Sequence, residues 1–278
     1  MKVSSGWSTS LLNAVAQKLA EGMVLAFDLN NGAEGVEYGG YDRHWAGIQR
    51  DKGDIKPLLN TNIPSFYQPR DAQVTWMQFV TAYGALIDIG KLQKGDTVLI
   101  RAASSSVGLA AIQIANLIGA VPVALTRTSE KRQALLDAGA AFVIATQEQD
   151  LVSEVNSITD GKGARMAFDP VGGAEVANIL RSLSFLGIFF QYGALDTGNL
   201  SVPVMELLGK DLTIRGYQLF EITEDPARLA GAKEFISKGL QSGALHPLIA
   251  KVFPLDQIAD AHRYMESNAQ IGKIVVEV

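Results

Sequence analysis

Hydrophobic and polar positions fall into regular blocks along most of this chain. Trp76 to Ile89 is an apolar helical stretch that stops at Gly90, glycine being common just past a helix end. The charged turn KLQKGDT follows, and Val98-Leu99-Ile100 then reads as a buried strand. Next come a helix from Val107 to Ile118 closed by Gly119, a strand from Val121 to Thr126, and a helix capped by Ser129 that runs to Ala138 before Gly139. Phe142 to Ala145 reads as a third strand and Leu151 to Ile158 as a helix. Met166 to Asp169 and Gly187 to Tyr192 read as fourth and fifth strands around a helix from Ala174 to Leu183, and Leu212 to Gly216 as a sixth. Short unbroken apolar runs alternating with amphipathic helices belong to a parallel sheet covered on both faces. The expected fold is α/β, a doubly wound parallel Rossmann sheet of about six strands over residues 76–220.

Beyond Phe220 the pattern predicts a helix from Pro226 to Gln241, the strand-like PLIAKVF, a helix from Asp256 to Ser267, and a final strand from Lys273 to Val278. Before Val74 the signal is weaker. Leu11, Val15 and Leu19 recur at helical spacing after Ser8-Thr9-Ser10, and Met23 to Leu29 has strand character. The segment from Asn30 to Asp54 is rich in glycine and charge and reads as loop. Residues 1–75 and 221–278 together are expected to form a smaller, atypical catalytic lobe.

Composition narrows the function. The chain has 278 residues, 47% of them hydrophobic, enough for one large core or two smaller ones. A net charge of −5 argues against nucleic acid or an acidic membrane as the main partner. No run approaches the roughly 20 apolar residues of a membrane helix, and Asn13 and Gln17 interrupt the only apolar stretch near the start. A cytoplasmic protein acting on a small molecule is expected. There is no cysteine, which removes thiolate nucleophiles and thiolate metal ligands together. The three histidines, His44, His246 and His262, are scattered, so metal-free chemistry is the expectation.

The first strand leads into Ala102-Ala103-Ser104-Ser105-Ser106-Val107-Gly108. A dinucleotide site needs a tight turn there, close approach of backbone to the pyrophosphate, and a helix N-terminus aimed at the anion. The strict glycine fingerprint would occupy Ala103, Ser105 and Gly108, and only Gly108 is glycine. Alanine and serine are small enough for the same approach, although an ordinary strand–turn–helix would carry the same residues. The second strand sharpens the reading. NAD-selecting sites end that strand in an acid, about 20 residues on. Here Thr126 and Arg127 stand at the strand end, with Lys131 and Arg132 a turn later. Cations at a helix start run against the dipole unless an anion is bound. A 2′-phosphate supplies one, which favours NADPH over NADH; a solvated basic face is the plainer alternative.

Several segments together resemble the zinc-independent quinone oxidoreductases, the zeta-crystallin-like branch of the medium-chain dehydrogenase/reductase family. They are TAYGAL (Thr81 to Leu86), KLQKGDTVLIRAASSSVGLAAIQIA, FDPVGG (Phe168 to Gly173), YGAL (Tyr192 to Leu195), GYQLFE, and the ending FPLDQIADAHRYMESNAQIGKIVVEV. The resemblance runs from about Val74 to the C-terminus. It implies that Ser104, Ser105, Ser106, Val107 and Gly108 hold the pyrophosphate, and that Thr126, Arg127 and Lys131 surround the 2′-phosphate. Asp169, Gly172, Tyr192 and Gly193 would border the ribose and nicotinamide, with Thr81 and Phe220 near the ring. It further implies hydride transfer to a quinone or α,β-unsaturated carbonyl, and a homodimer built through the sixth strand, Leu212-Thr213-Ile214-Arg215. The family's usual N-terminal β domain has no counterpart pattern before Val74. A non-catalytic NADPH-binding structural or regulatory protein is therefore the competing reading. No catalytic residue is identified; Tyr38, Tyr41 and His44 are conceivable proton donors.

Overall fold

The computed structural model describes residues 69–277. The expected helix around Leu11, Val15 and Leu19, the strand Met23 to Leu29 and the three conceivable donors lie outside the described residues.

The long helix α1 (Pro69–Tyr83) widens into a π-helical turn, Gly84–Ile89, before Gly90. Six parallel strands follow: β1 (Thr97–Ile100), β2 (Val121–Thr126), β3 (Phe142–Ala145), β4 (Ala164–Asp169), β5 (Leu183–Gln191) and β6 (Thr213–Gly216). They lie in the order β3-β2-β1-β4-β5-β6, the Rossmann arrangement, with the order reversing between β1 and β4. Connecting helices are α2 (Ser106–Ile118), α3 (Arg132–Asp137), α4 (Leu151–Ile158), α5 (Val176–Arg181) and α6 (Val204–Gly209).

Alternate residues of the inner strands enter opposite cores, as the period of two requires. Val98, Ile100, Met166, Phe168 and Phe190 join the cluster beneath α1 and α2. Leu99, Val123, Leu125, Ala167 and Phe189 join the second cluster beneath α4 and α5. That double burial is why the strands read as unbroken apolar runs. Helix α2 is apolar on all sides because every residue from Ser106 to Ala115 is buried.

Two expected boundaries are corrected. Ser129 is not a helix cap: it lies in a 3-10 turn, Ser129–Lys131, and α3 begins only at Arg132. The Ser129 N–H is instead taken by the Glu148 carboxylate at 3.0 Å. The helix expected from Ala174 to Leu183 is only Val176–Arg181, and β5 starts at Leu183 rather than Gly187. Gly172 and Gly173 at positive φ keep the loop open on one side. On the other, Leu183 pairs with Ala164 across a register shift that the apolar pattern could not reveal.

After β6 come α7 (Phe220–Thr223) and α8 (Pro226–Gln241), the latter capped by Asp225, which accepts from the N–H groups of Ala227 and Arg228. Ile222, Ala232, Ile236, Leu240 and Leu245 belong to the same core as α1 and α2. Within 221–278, the part with a core of its own is a βαβ unit: β7 (Ile249–Pro254), α9 (Ile258–Glu266) and β8 (Lys273–Glu277) around Phe253, Ala261, Ile274 and Val276. Its two strands pair in parallel.

Gly84 shows how closely α1 approaches the end of β6. A β-carbon there would stand 2.1 Å from the Tyr217 hydroxyl and 2.5 Å from Ile222 Cγ1. A Gly84→Ala protein is expected to lose about 1–3 kcal/mol through overpacking, measured by urea unfolding.

Candidate functional site

The site lies where β1, β2, β4 and β5 end. Ala102 turns the chain out of β1 with φ +49°, and Ser105 caps α2, its hydroxyl accepting from the Gly108 N–H at 3.1 Å. The Leu109 N–H goes to the Ser105 carbonyl. That leaves the first-turn N–H groups of Ser106 and Val107 without intrahelical partners. Gly108 is required by packing: a β-carbon would meet Ala102 O, Ala103 Cα and Ala103 O, all at 2.7 Å. Helix α2 therefore lies directly against the turn.

At the end of β2, Thr126 gives its carbonyl to the Thr146 N–H, and Arg127 is exposed. Lys131 folds inward. Its Nζ donates to Ser104 Oγ at 3.1 Å and to the Gln270 carbonyl at 2.9 Å. Burial, with Arg127 adding to it, holds its pKa below the usual lysine range. The Gly272 N–H also donates to the Ser104 carbonyl at 2.9 Å. The βαβ unit is thus tied to the phosphate-type turn itself. A second tie joins Gln113 to the His246 backbone in both directions, at 3.0 and 2.8 Å.

Across the reversal point, Asp169 is fully buried. One carboxylate oxygen accepts from the N–H of Val171 at 2.6 Å and of Gly172 at 3.3 Å. The other pairs with Arg101 Nη1 at 3.0 Å, and the same nitrogen donates to the Gly172 carbonyl at 2.7 Å. Burial pushes the Asp169 carboxyl up, while Arg101 and the two N–H groups pull it back. Tyr192 stacks on Phe168 with centroids 3.9 Å apart, and its N–H donates to the Asp169 carbonyl. Gly193 packs so closely on Pro170 that a β-carbon would lie 2.8 Å from its carbonyl oxygen. Gln191 donates through Nε2 to the Gly193 carbonyl at 2.6 Å. Its buried Oε1 has no hydrogen-bond partner among the described residues.

The structure thus joins Ser104 to Lys131, Ser105 to Gly108, and Asp169 to Gly172 and Tyr192. Thr81 is buried and spends its hydroxyl proton on the Met77 carbonyl at 2.6 Å. Phe220 opens the short helix α7. Sequence reasoning missed Arg101, Gln191 and Gln270. The only signal for Arg101 was a cation standing immediately after an apolar strand.

The donor set suits a dinucleotide. Two free N–H groups at a helix N-terminus fit a diphosphate. Arg127 and the remaining proton of Lys131 fit a further phosphate. The orphaned Gln191 oxygen, beside Gly172 and Gly193, is an acceptor for a ribose hydroxyl. Among the described residues, no three His, Asp or Glu side chains gather as a metal site would need, and no helix is long and apolar enough to cross a membrane.

Known proteins resemble this chain in sequence and in fold. Residues 106–237 match the family model described as zinc-binding dehydrogenase. The highly reducing polyketide synthase ltbA of Aspergillus luteorubrus is 31% identical over 206 residues, covering 72% of this chain and 6% of the synthase. The synaptic vesicle membrane protein VAT-1 homolog of Homo sapiens is 26% identical over 247 residues, covering 83% of this chain and 63% of that protein. The chain therefore spans less than two thirds of the length of either relative. Among solved structures, the Escherichia coli quinone oxidoreductase complexed with NADPH superposes with TM-score 0.70 at 27% identity, over 78% of this chain and 67% of that one. A 2-haloacrylate reductase gives TM-score 0.70 and 27% identity, over 78% and 69%.

Proposed function

Since the chain belongs to the medium-chain dehydrogenase/reductase family, we propose that it is an NADPH-dependent oxidoreductase acting on a quinone or α,β-unsaturated carbonyl without metal. The observation that carries this reading is the capped helix α2 at the sheet's reversal point, with Arg127 and Lys131 at the end of the neighbouring strand. Similarity to a quinone oxidoreductase and a 2-haloacrylate reductase supports the substrate class. The lack of cysteine supports the absence of a thiolate-held zinc.

In this reading Ser106 and Val107 bind the diphosphate through their N–H groups, with Ser104 and Ser105 beside it and Gly108 allowing the close approach. Thr126, Arg127 and Lys131 surround the 2′-phosphate. Asp169 sets the loop in which Gly172 lies, and Gly172, Tyr192, Gly193, Thr81 and Phe220 border the ribose and nicotinamide. When bound, the cofactor supplies the hydride. The oxygen or carbon left by reduction takes a proton from water where no side chain donates one. Residues 76–220 carry the cofactor, and 221–278 with 1–75 complete the substrate side.

The test is a titration of the full chain with NADPH, followed by NADPH consumption over a panel of quinones and enones. Saturable binding with turnover on that panel is expected. Binding with no turnover on any member would instead favour the non-catalytic reading.

Cofactor choice provides a second prediction. Arg127→Ala with Lys131→Ala should weaken NADPH binding by roughly ten- to hundredfold, as loss of charge-assisted hydrogen bonds does, and NADH binding far less. Equal loss for both would remove the 2′-phosphate assignment.

We also propose a homodimer through β6. That strand ends the sheet, and the exposed Val204, Met205 and Leu208 of α6 precede it; both features call for cover. Light scattering should give twice the chain mass at micromolar concentration, and a monomer there would refute it.

A further inference from the structure

The Arg101–Asp169 pair spans the junction at which β1 and β4 diverge. Backbone and side chain hold Arg101 to β4 together: its N–H donates to the Phe168 carbonyl at 3.1 Å, and Nη1 holds both Asp169 and the Gly172 carbonyl. The two members are unequally buried. The aspartate side chain is 1% exposed and the arginine 19%, so the pair sinks its anion into the core and leaves its cation the more accessible member. The guanidinium carries five N–H donors. Among the described residues only Nη1 finds partners, and neither Nη2 nor Nε donates to any of them. Arg101 directly follows β1, in the turn that leads into α2 and the first-turn N–H groups of Ser106 and Val107.

We propose that Arg101 binds the diphosphate bridge of the dinucleotide, offering Nη2 and Nε to its oxygens while Nη1 keeps the β4 loop in place. This rests on the NADPH-binding reading above and adds a residue to it. A half-used guanidinium fork where β1 and β4 end, in the turn that leads into a helix N-terminus, matches an anion with several oxygens, because guanidinium and phosphate geometries suit each other. The buried carboxylate gives the arginine one orientation, so little freedom is lost on binding. Arg127 and Lys131 would read the phosphate that distinguishes NADPH from NADH. Arg101 would read the bridge common to both.

The experiment separates binding from structural support. In the full chain, Arg101→Met is combined with Asp169→Asn, removing both charges so that no buried carboxylate is stranded. NADPH, NADH and adenosine 2′-phosphate are titrated by calorimetry, and urea unfolding is measured alongside. The expected result is an unfolding midpoint near that of the parent, NADPH and NADH weakened alike by roughly ten- to hundredfold, and adenosine 2′-phosphate unaffected. Arg101→Lys should behave similarly, since it keeps the charge and the partner but not the fork; it supplies the answer if the double variant does not fold. Unchanged dinucleotide affinity in a folded variant overturns the proposal and leaves the function standing. Loss confined to NADPH overturns it too, by moving Arg101 to the 2′-phosphate. Failure of the parent chain to bind either dinucleotide removes both readings.

Discussion

Arg101→Ala is expected to destabilise the chain by about 3–5 kcal/mol at neutral pH, the range for removing one partner of a buried ion pair. The loss comes less from the missing attraction than from what remains. Asp169 is fully buried, and among the described residues it keeps, without the guanidinium, only the N–H groups of Val171 and Gly172. The sign of the pH dependence follows. Burial already raises the Asp169 pKa and Arg101 opposes that rise, so the variant's carboxyl moves further up. A carboxyl raised in the folded state contributes full stability below its unfolded pKa and loses it as pH climbs through the folded value. The deficit relative to the parent should therefore be small near pH 3 and full at pH 7. Urea unfolding at the two pH values checks it. A deficit independent of pH would mean that lost packing, not the stranded carboxylate, sets the cost.

The second large effect belongs to Gly108. Replacing it with valine should abolish saturable NADPH binding and lower stability by about 1–3 kcal/mol or more. Its β-carbon would lie 2.7 Å from three backbone atoms of Ala102 and Ala103, and backbone cannot rotate away as a side-chain end can. The start of α2 must lift from the turn, which displaces the N–H groups of Ser106 and Val107. Thermal unfolding and cofactor titration on one sample check both parts. A folded Gly108→Val protein with parental affinity would show that the diphosphate does not bind at this turn. Gly84→Ala, in contrast, meets the end of a tyrosine side chain and an isoleucine methylene, and should act on stability alone.

The inner strands were legible because they are buried on both faces, so residues 98–100, 121–126 and 142–145 present apolar runs that no helix period explains. Asp150 and Asp225 cap their helices in the same local way. Local rules failed where a distant group decided the matter. Ser129 carries the right chemistry for a cap, yet the carboxylate of Glu148, from the loop after β3, takes its N–H. The early start of β5 depends on pairing between Leu183 and Ala164. Lys131 was legible as a cation near the turn, but its bonds to Ser104 and Gln270 join residues 27 and 139 positions apart in the chain.

What the amino-acid order determined by itself is the layered sheet, its punctuation by glycine, and the serine-lined turn with cations after the second strand, because those depend on periodicity and near neighbours. Tertiary structure alone decided that Arg101 meets Asp169 and Gly172, that α8 packs into the main core, and that the final βαβ unit docks on the turn through Ser104, Lys131 and Gly272. Those contacts join residues tens of positions apart, and only the assembled sheet and its packed helices bring their polar groups within hydrogen-bonding distance.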